Sequence, residues 1–184
     1  MAESGIQVFV KVLSQYKRMG SWAAAITIIG PLMDFTLKVG PPWPGSSAVL
    51  TSLTQFITLI LVFEFGQKRR KKVAGLLTQM AIITVVLFAA YLFTVDRYTF
   101  TSPINDQRYV KGYELRPDVA KLLRNDFTED DALQGSEYNP SAIWTPTSIS
   151  IMKVTLLLLW LAFFAGLASI VGTFIVHNRV VSPD

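Results

Sequence analysis

Lys68-Arg69-Arg70-Lys71-Lys72 sets five consecutive cations between two long apolar segments, residues 48–66 and 73–95. Glu64 is the only charged residue in the first segment, and the second has none. About 20 apolar residues in a helix, each rising roughly 1.5 Å, cross the roughly 30 Å of bilayer hydrocarbon. Both segments are therefore expected to span a membrane, and the cations between them to fix its orientation, because Lys and Arg in short loops stay cytoplasmic.

Composition agrees. The 184 residues are 51% hydrophobic and only 16% charged, with a mean hydropathy of +0.41, which is far from an ordinary soluble domain. The net charge of +4 does not call for direct nucleic-acid binding, because the cations gather at membrane edges, where orientation and anionic lipid headgroups account for them.

Two further spans are expected. Residues 149–176 hold Leu156 to Leu159, Trp160 and Leu161, with Lys153 near enough to one end to reach the headgroups. Residues 21–39 are interrupted by Gly30-Pro31 and carry Asp34. The stretch is read as retained, because Ala23, Ala24 and Ala25 lie before the apolar run rather than after it, where a signal peptidase would cut. Gly30 and Pro31 should kink this helix, and Asp34 either reaches the interface or faces a partner or water.

The expected fold is an all-α integral membrane protein. It is a four-helix transmembrane bundle with an N-terminal interfacial amphipathic helix (1–20), spans at 21–39, 48–66, 73–95 and 149–176, an external turn at 40–47 and a basic loop at 67–72. A small α/β extracytoplasmic cap fills 96–148, and 177–184 form a tail. Lys11, Lys17, Arg18, the run Lys68 to Lys72 and Arg179 lie on one side, whereas the cap carries six cations against nine acids. The expected topology is therefore N-in, C-in in a bacterial inner membrane, where a cap without cysteine needs no disulfides.

Within residues 1–20, Ile6, Phe9, Val10, Leu13 and Tyr16 recur at helical spacing opposite Lys11, Lys17 and Arg18. Such a helix lies on an anionic leaflet, packs as a cytoplasmic elbow on its own bundle, or docks a soluble partner. In the cap, residues 98–101 and 108–111 are rich in aromatic and β-branched types on either side of Pro103 and Asn105-Asp106, a hairpin pattern. Pro117 can open a short helix, and Thr128 can cap another that closes at Gly135.

No enzyme signature accompanies this plan. The single histidine, His177, sits at the end of the last span, and no phosphate loop, H-E-x-x-H or G-x-S-x-G pattern occurs. Glu129 to Asp131 lack the alternating spacing of a calcium loop and read as a helix start. Glu64 and Lys68 are spaced for a pair. No catalytic residue, metal or cofactor is expected.

Inside the membrane, Thr51, Thr54, Gln55 and Thr58 form a polar stripe on one helix, joined by Thr78, Gln79 and Thr84 on the next. Such residues either bond helices together or line a pore. Ala162, Ala165, Gly166, Ser169 and Gly172 form a small-residue face suited to close helix packing.

The amphipathic start, the Lys68 to Lys72 loop and a compact ectodomain containing Arg108-Tyr109-Val110-Lys111-Gly112-Tyr113 together resemble small bacterial inner-membrane sensors or effectors of anti-phage defence. The layout is similar to that of the KwaA family, membrane subunits of two-component Kiwa systems. The resemblance implies a homo-oligomer that detects phage-induced disturbance and works with a soluble DNA-binding partner. It covers the layout rather than a motif and so transfers no residue role. The functional expectation is a non-enzymatic sensor or effector, in contact with lipid, whose cytoplasmic partner touches Lys68, Arg69, Arg70, Lys71 and Lys72 together with Lys11, Lys17 and Arg18. A pore-forming effector or channel, and a passive membrane anchor, are the alternatives.

Overall fold

The computed structural model describes residues 40–66, 73–122 and 128–181. The N-terminal amphipathic segment, the 21–39 span with Gly30, Pro31 and Asp34, and the run Lys68 to Lys72 lie outside the described residues.

The chain is mostly helical. In order, it forms α1 (Ser47–Gly66), α2 (Val73–Tyr98), β1 (Thr99–Thr101), β2 (Arg108–Val110), α3 (Pro117–Leu122), α4 (Glu129–Gly135), α5 (Pro140–Ile143) and α6 (Pro146–Val181). Among the described residues, α1, α2 and α6 are long and apolar enough to cross a membrane. Two of them overrun the expected spans. α2 runs through Asp96 and Arg97 to Tyr98, where Thr99-Phe100-Thr101 enters the hairpin. α6 starts at Pro146, with Thr145 Oγ1 accepting the Ser148 N–H at 3.4 Å as an N-cap would.

The chain divides into two compact units. The first contains Ser46–Ala89 and the part of α6 from Trp160 onward. Here α6 packs against both other helices: Gly172 lies close to Val62 and Leu59 of α1, and Gly166 lies close to Thr84 of α2. The Phe88 and Phe163 rings stack with centroids 4.6 Å apart. Burial on α1 repeats every fourth residue, at Ser47, Thr51, Gln55, Leu59 and Phe63, so one ridge of the helix faces inward. That ridge is polar for more than half its length.

The outward residues invert the pattern of a soluble bundle. Val49, Leu53, Phe56, Ile57 and Leu61 of α1, and Ile82, Ile83, Val85 and Val86 of α2, are all exposed, Val85 to 67%. An uncovered apolar surface of this extent marks contact with lipid or another protein.

The second unit contains Pro41–Gly45 and Ala90–Leu159. β1 and β2 pair antiparallel with Phe100 opposite Tyr109. The hairpin tip is closed by Asp106 N–H donating to Ser102 O at 3.0 Å and Gln107 N–H to Asn105 Oδ1 at 3.1 Å. Asp106 has a φ of 53°, a turn conformation that Asp and Asn tolerate. Leu133, Ile143, Trp144 and Ile149 form the core, with Phe100, Leu115, Val119, Ala132 and Tyr138 packed on it.

A second strand-like contact ties the cap to the start of α6. Leu115 and Trp144 form an antiparallel bridge, flanked by Arg116 N–H to Ile143 O at 2.9 Å and Thr145 N–H to Glu114 O at 3.0 Å. Gly112 allows this approach: a Cβ there would overlap Ser148 Oγ and lie 2.7 Å from Trp144 Cβ. The expected small α/β cap is thus present as a two-stranded sheet with three short helices. α5 was not expected from the sequence. Four residues capped by Asn139 Oδ1 are too few for hydrophobic periodicity to register.

Candidate functional site

The polar stripe on α1 is not one uniform face. Thr51 and Gln55 are fully buried, whereas Thr54 and Thr58 are half-buried at its flank. Hydroxyls along the helices bond back to their own backbone: Thr51 to Ser47 O at 2.8 Å, Thr58 to Thr54 O at 2.7 Å, Thr84 to Met80 O at 2.7 Å and Ser169 to Ala165 O at 2.8 Å. Such bonding satisfies a hydroxyl without help from a neighbouring helix. Thr51 does more, because Trp160 Nε1 donates to its Oγ1 at 2.9 Å.

That bond joins α6 to α1 at a fully buried point, with the Trp160 ring edge-on to Phe164 at 4.7 Å. In the sequence Trp160 reads only as part of an apolar run. The available signal was the indole N–H of a tryptophan within an apolar run, a donor that needs an acceptor when buried.

Gln55 differs from these hydroxyls. It is 0% exposed, and among the described residues neither its Nε2 nor its Oε1 has a hydrogen-bond partner. A buried amide left unsatisfied costs about 1–3 kcal/mol.

Of the small-residue face, Gly172 is buried and Gly166 sits against Thr84, while Ala162, Ala165 and Ser169 are half-buried. Ala168, not singled out from the sequence, is fully buried. On α2, Thr84 is buried but Thr78 and Gln79 are exposed, so the expected stripe of three reduces to one inward residue.

Several charges of the cap are engaged within it. Lys111 Nζ meets Glu129 Oε1 at 2.6 Å and lies 6.0 Å from the Trp144 ring centre. Asp131 closes a capping box with Thr128: its carboxylate accepts the Thr128 N–H at 2.9 Å, and its own N–H donates to Thr128 Oγ1. Hydrogen bonds from the Thr128 hydroxyl and backbone hold the Asp131 carboxyl below its ordinary range. Asp118 is lowered chiefly by its own backbone N–H, with help from the Arg116 guanidinium. Two of the three acids from Glu129 to Asp131 are thus engaged in building α4.

Among the described residues, no group of three His, Cys, Asp or Glu is placed to hold a metal ion. Glu64 and His177 are both exposed, and the inward ridge of α1 contains no titratable side chain. Among the described residues, the buried ridge can donate and accept hydrogen bonds but offers no acid or base. No family model, curated protein or solved structure matches the chain.

Proposed function

We propose that the protein is an oligomeric, non-enzymatic, multi-pass protein of the bacterial inner membrane, acting as a sensor or effector with a soluble cytoplasmic partner. The apolar outer faces of α1, α2 and α6 support its placement in a bilayer. α2 is the least covered of the three, which leaves it for lipid or for α2 of another copy.

One observation carries the sensor reading: no linker separates the cap from the helices. α2 passes directly into β1, and Lys111 N–H bonds Tyr98 O at 2.8 Å. α6 begins inside the cap, where Ser148 Oγ donates to Glu114 O at 3.3 Å. A ligand pressing on the hairpin would act on helix ends rather than on a flexible tether. The defence setting rests on the resemblance of layout to anti-phage membrane subunits.

Affinity capture from native membranes, with the neighbouring genes expressed, tests the partner. A specific soluble protein should be recovered by the native chain and lost when Lys68 to Lys72 are changed to Gln. Recovery of no partner by the native chain would overturn the reading. The unsatisfied Gln55 amide favours a second reading, an ion-conducting effector, and ion flux through proteoliposomes that Gln55→Leu abolishes would support it.

A further inference from the structure

We infer that the buried face of α1 is an internal water site, a polar file running from Ser47 past Thr51 to Gln55 and stopped by Leu59 and Phe63. This goes beyond the sensor reading and does not depend on it.

The file follows from helix geometry. Ser47, Thr51 and Gln55 occupy successive turns of one ridge, all 4% exposed or less, and Leu59 and Phe63 continue the same ridge as hydrocarbon. Side chains four residues apart on a helix stand about 5–6 Å apart at Cβ, a gap that one water molecule bridges. Gln55 is where the need is greatest, because a primary amide carries two donors and an acceptor with two lone pairs, and none is used.

Its polar neighbour on the ridge does not meet that need. Thr51 Oγ1 already donates to Ser47 O and accepts from Trp160 Nε1, and the indole has only that one donor. A hydroxyl has two acceptor lone pairs, so Thr51 keeps one for a water lying between it and the Gln55 amide. The chemistry also selects the ligand. Among the described residues the ridge holds hydroxyls and an amide and no carboxylate, imidazole or thiol, a donor set suited to a neutral hydrogen-bonding molecule. Leucine or methionine would fill the same space without an unmet amide, so glutamine here provides hydration rather than filling.

Radiolytic hydroxyl-radical footprinting of the full chain in proteoliposomes tests the site, because radicals form from bound as well as bulk water. Trp160 and Phe164 are both fully buried, yet Trp160, bonded to the file, should be oxidised well above Phe164 after correction for intrinsic reactivity. Equal protection of the two rings overturns the site. Gln55→Leu, which removes the amide and fills its space, should bring oxidation of Trp160 down to the level of Phe164, and an unchanged Trp160 signal overturns the site. Both readouts are independent of any partner, so failure to capture one leaves them unaffected.

Discussion

Trp160 Nε1 donates to Thr51 Oγ1 at 2.9 Å, and both side chains are fully buried. A hydrogen bond between residues 109 positions apart in sequence thus fixes how α6 lies on α1. Thr51→Val removes the acceptor while nearly preserving shape, stranding a buried indole N–H. The expected loss is about 1–3 kcal/mol, and Thr51→Ser should lose less. A double-mutant cycle with Trp160→Phe should return a coupling of about 0.6–1.7 kcal/mol, measured by reversible unfolding in mixed micelles.

Gly166 and Gly75 should respond in opposite directions. A Cβ at Gly166 would crowd the Thr84 side chain, at 3.2 Å from its Cβ and Cγ2, whereas nothing lies within 4 Å of one at Gly75. Gly166→Ala is expected to destabilise by about 1–3 kcal/mol through overpacking. Gly75→Ala, in α2, should stabilise by up to about 1 kcal/mol through lower backbone entropy in the unfolded chain. Thermal melts of the two variants in one detergent check the contrast.

Gly112→Ala should damage the cap more than any surface change there. The added methyl would meet Ser148 Oγ and Trp144 Cβ, neither on a long flexible arm, so the Leu115–Trp144 bridge must shift. Tryptophan fluorescence and protease sensitivity of residues 96–148 should report a loosened cap. By contrast, Glu129→Gln breaks an ion pair whose Glu side chain is 47% exposed; it should cost under about 1 kcal/mol and less still at high salt.

Much of this was legible beforehand, and the failures have a common cause. Pro117, Thr128 and Gly135 announced their helices because cap and turn chemistry is local. The hairpin was visible because its strands flank a proline and an Asn-Asp pair. α2 and α6 run past the expected spans because hydropathy finds a hydrocarbon boundary, whereas a helix continues through Asp96 and Arg97 as long as its backbone bonds are met. Within the candidate site, the Thr51 to Thr58 stripe was visible by type, but its division into buried Thr51 and Gln55 beside half-buried Thr54 and Thr58 depends on where α6 packs. The partner of Thr51 lies 109 residues away, beyond any local pattern.

The cap should tolerate mild acid. Asp131 has its carboxyl held below the ordinary 3.8 by Thr128. A lowered folded value means that its contribution is present above the unfolded value and is lost only as pH falls through the lower, folded one. The start of α4 should therefore persist as pH approaches 3.8 and loosen below it, and Asp131→Asn should remove that part of the acid transition. Near-UV circular dichroism of the full chain against pH checks both.

The central claim, a membrane protein with the cap outside and the Lys68 to Lys72 run inside, is tested most directly by thiol labelling in intact cells. Ile104→Cys at the hairpin tip, 66% exposed in the native chain, should react with a membrane-impermeant maleimide in unbroken cells. Ser182→Cys should react only after the inner membrane is permeabilised. The reverse pattern, or labelling of neither position in intact cells, would contradict the account.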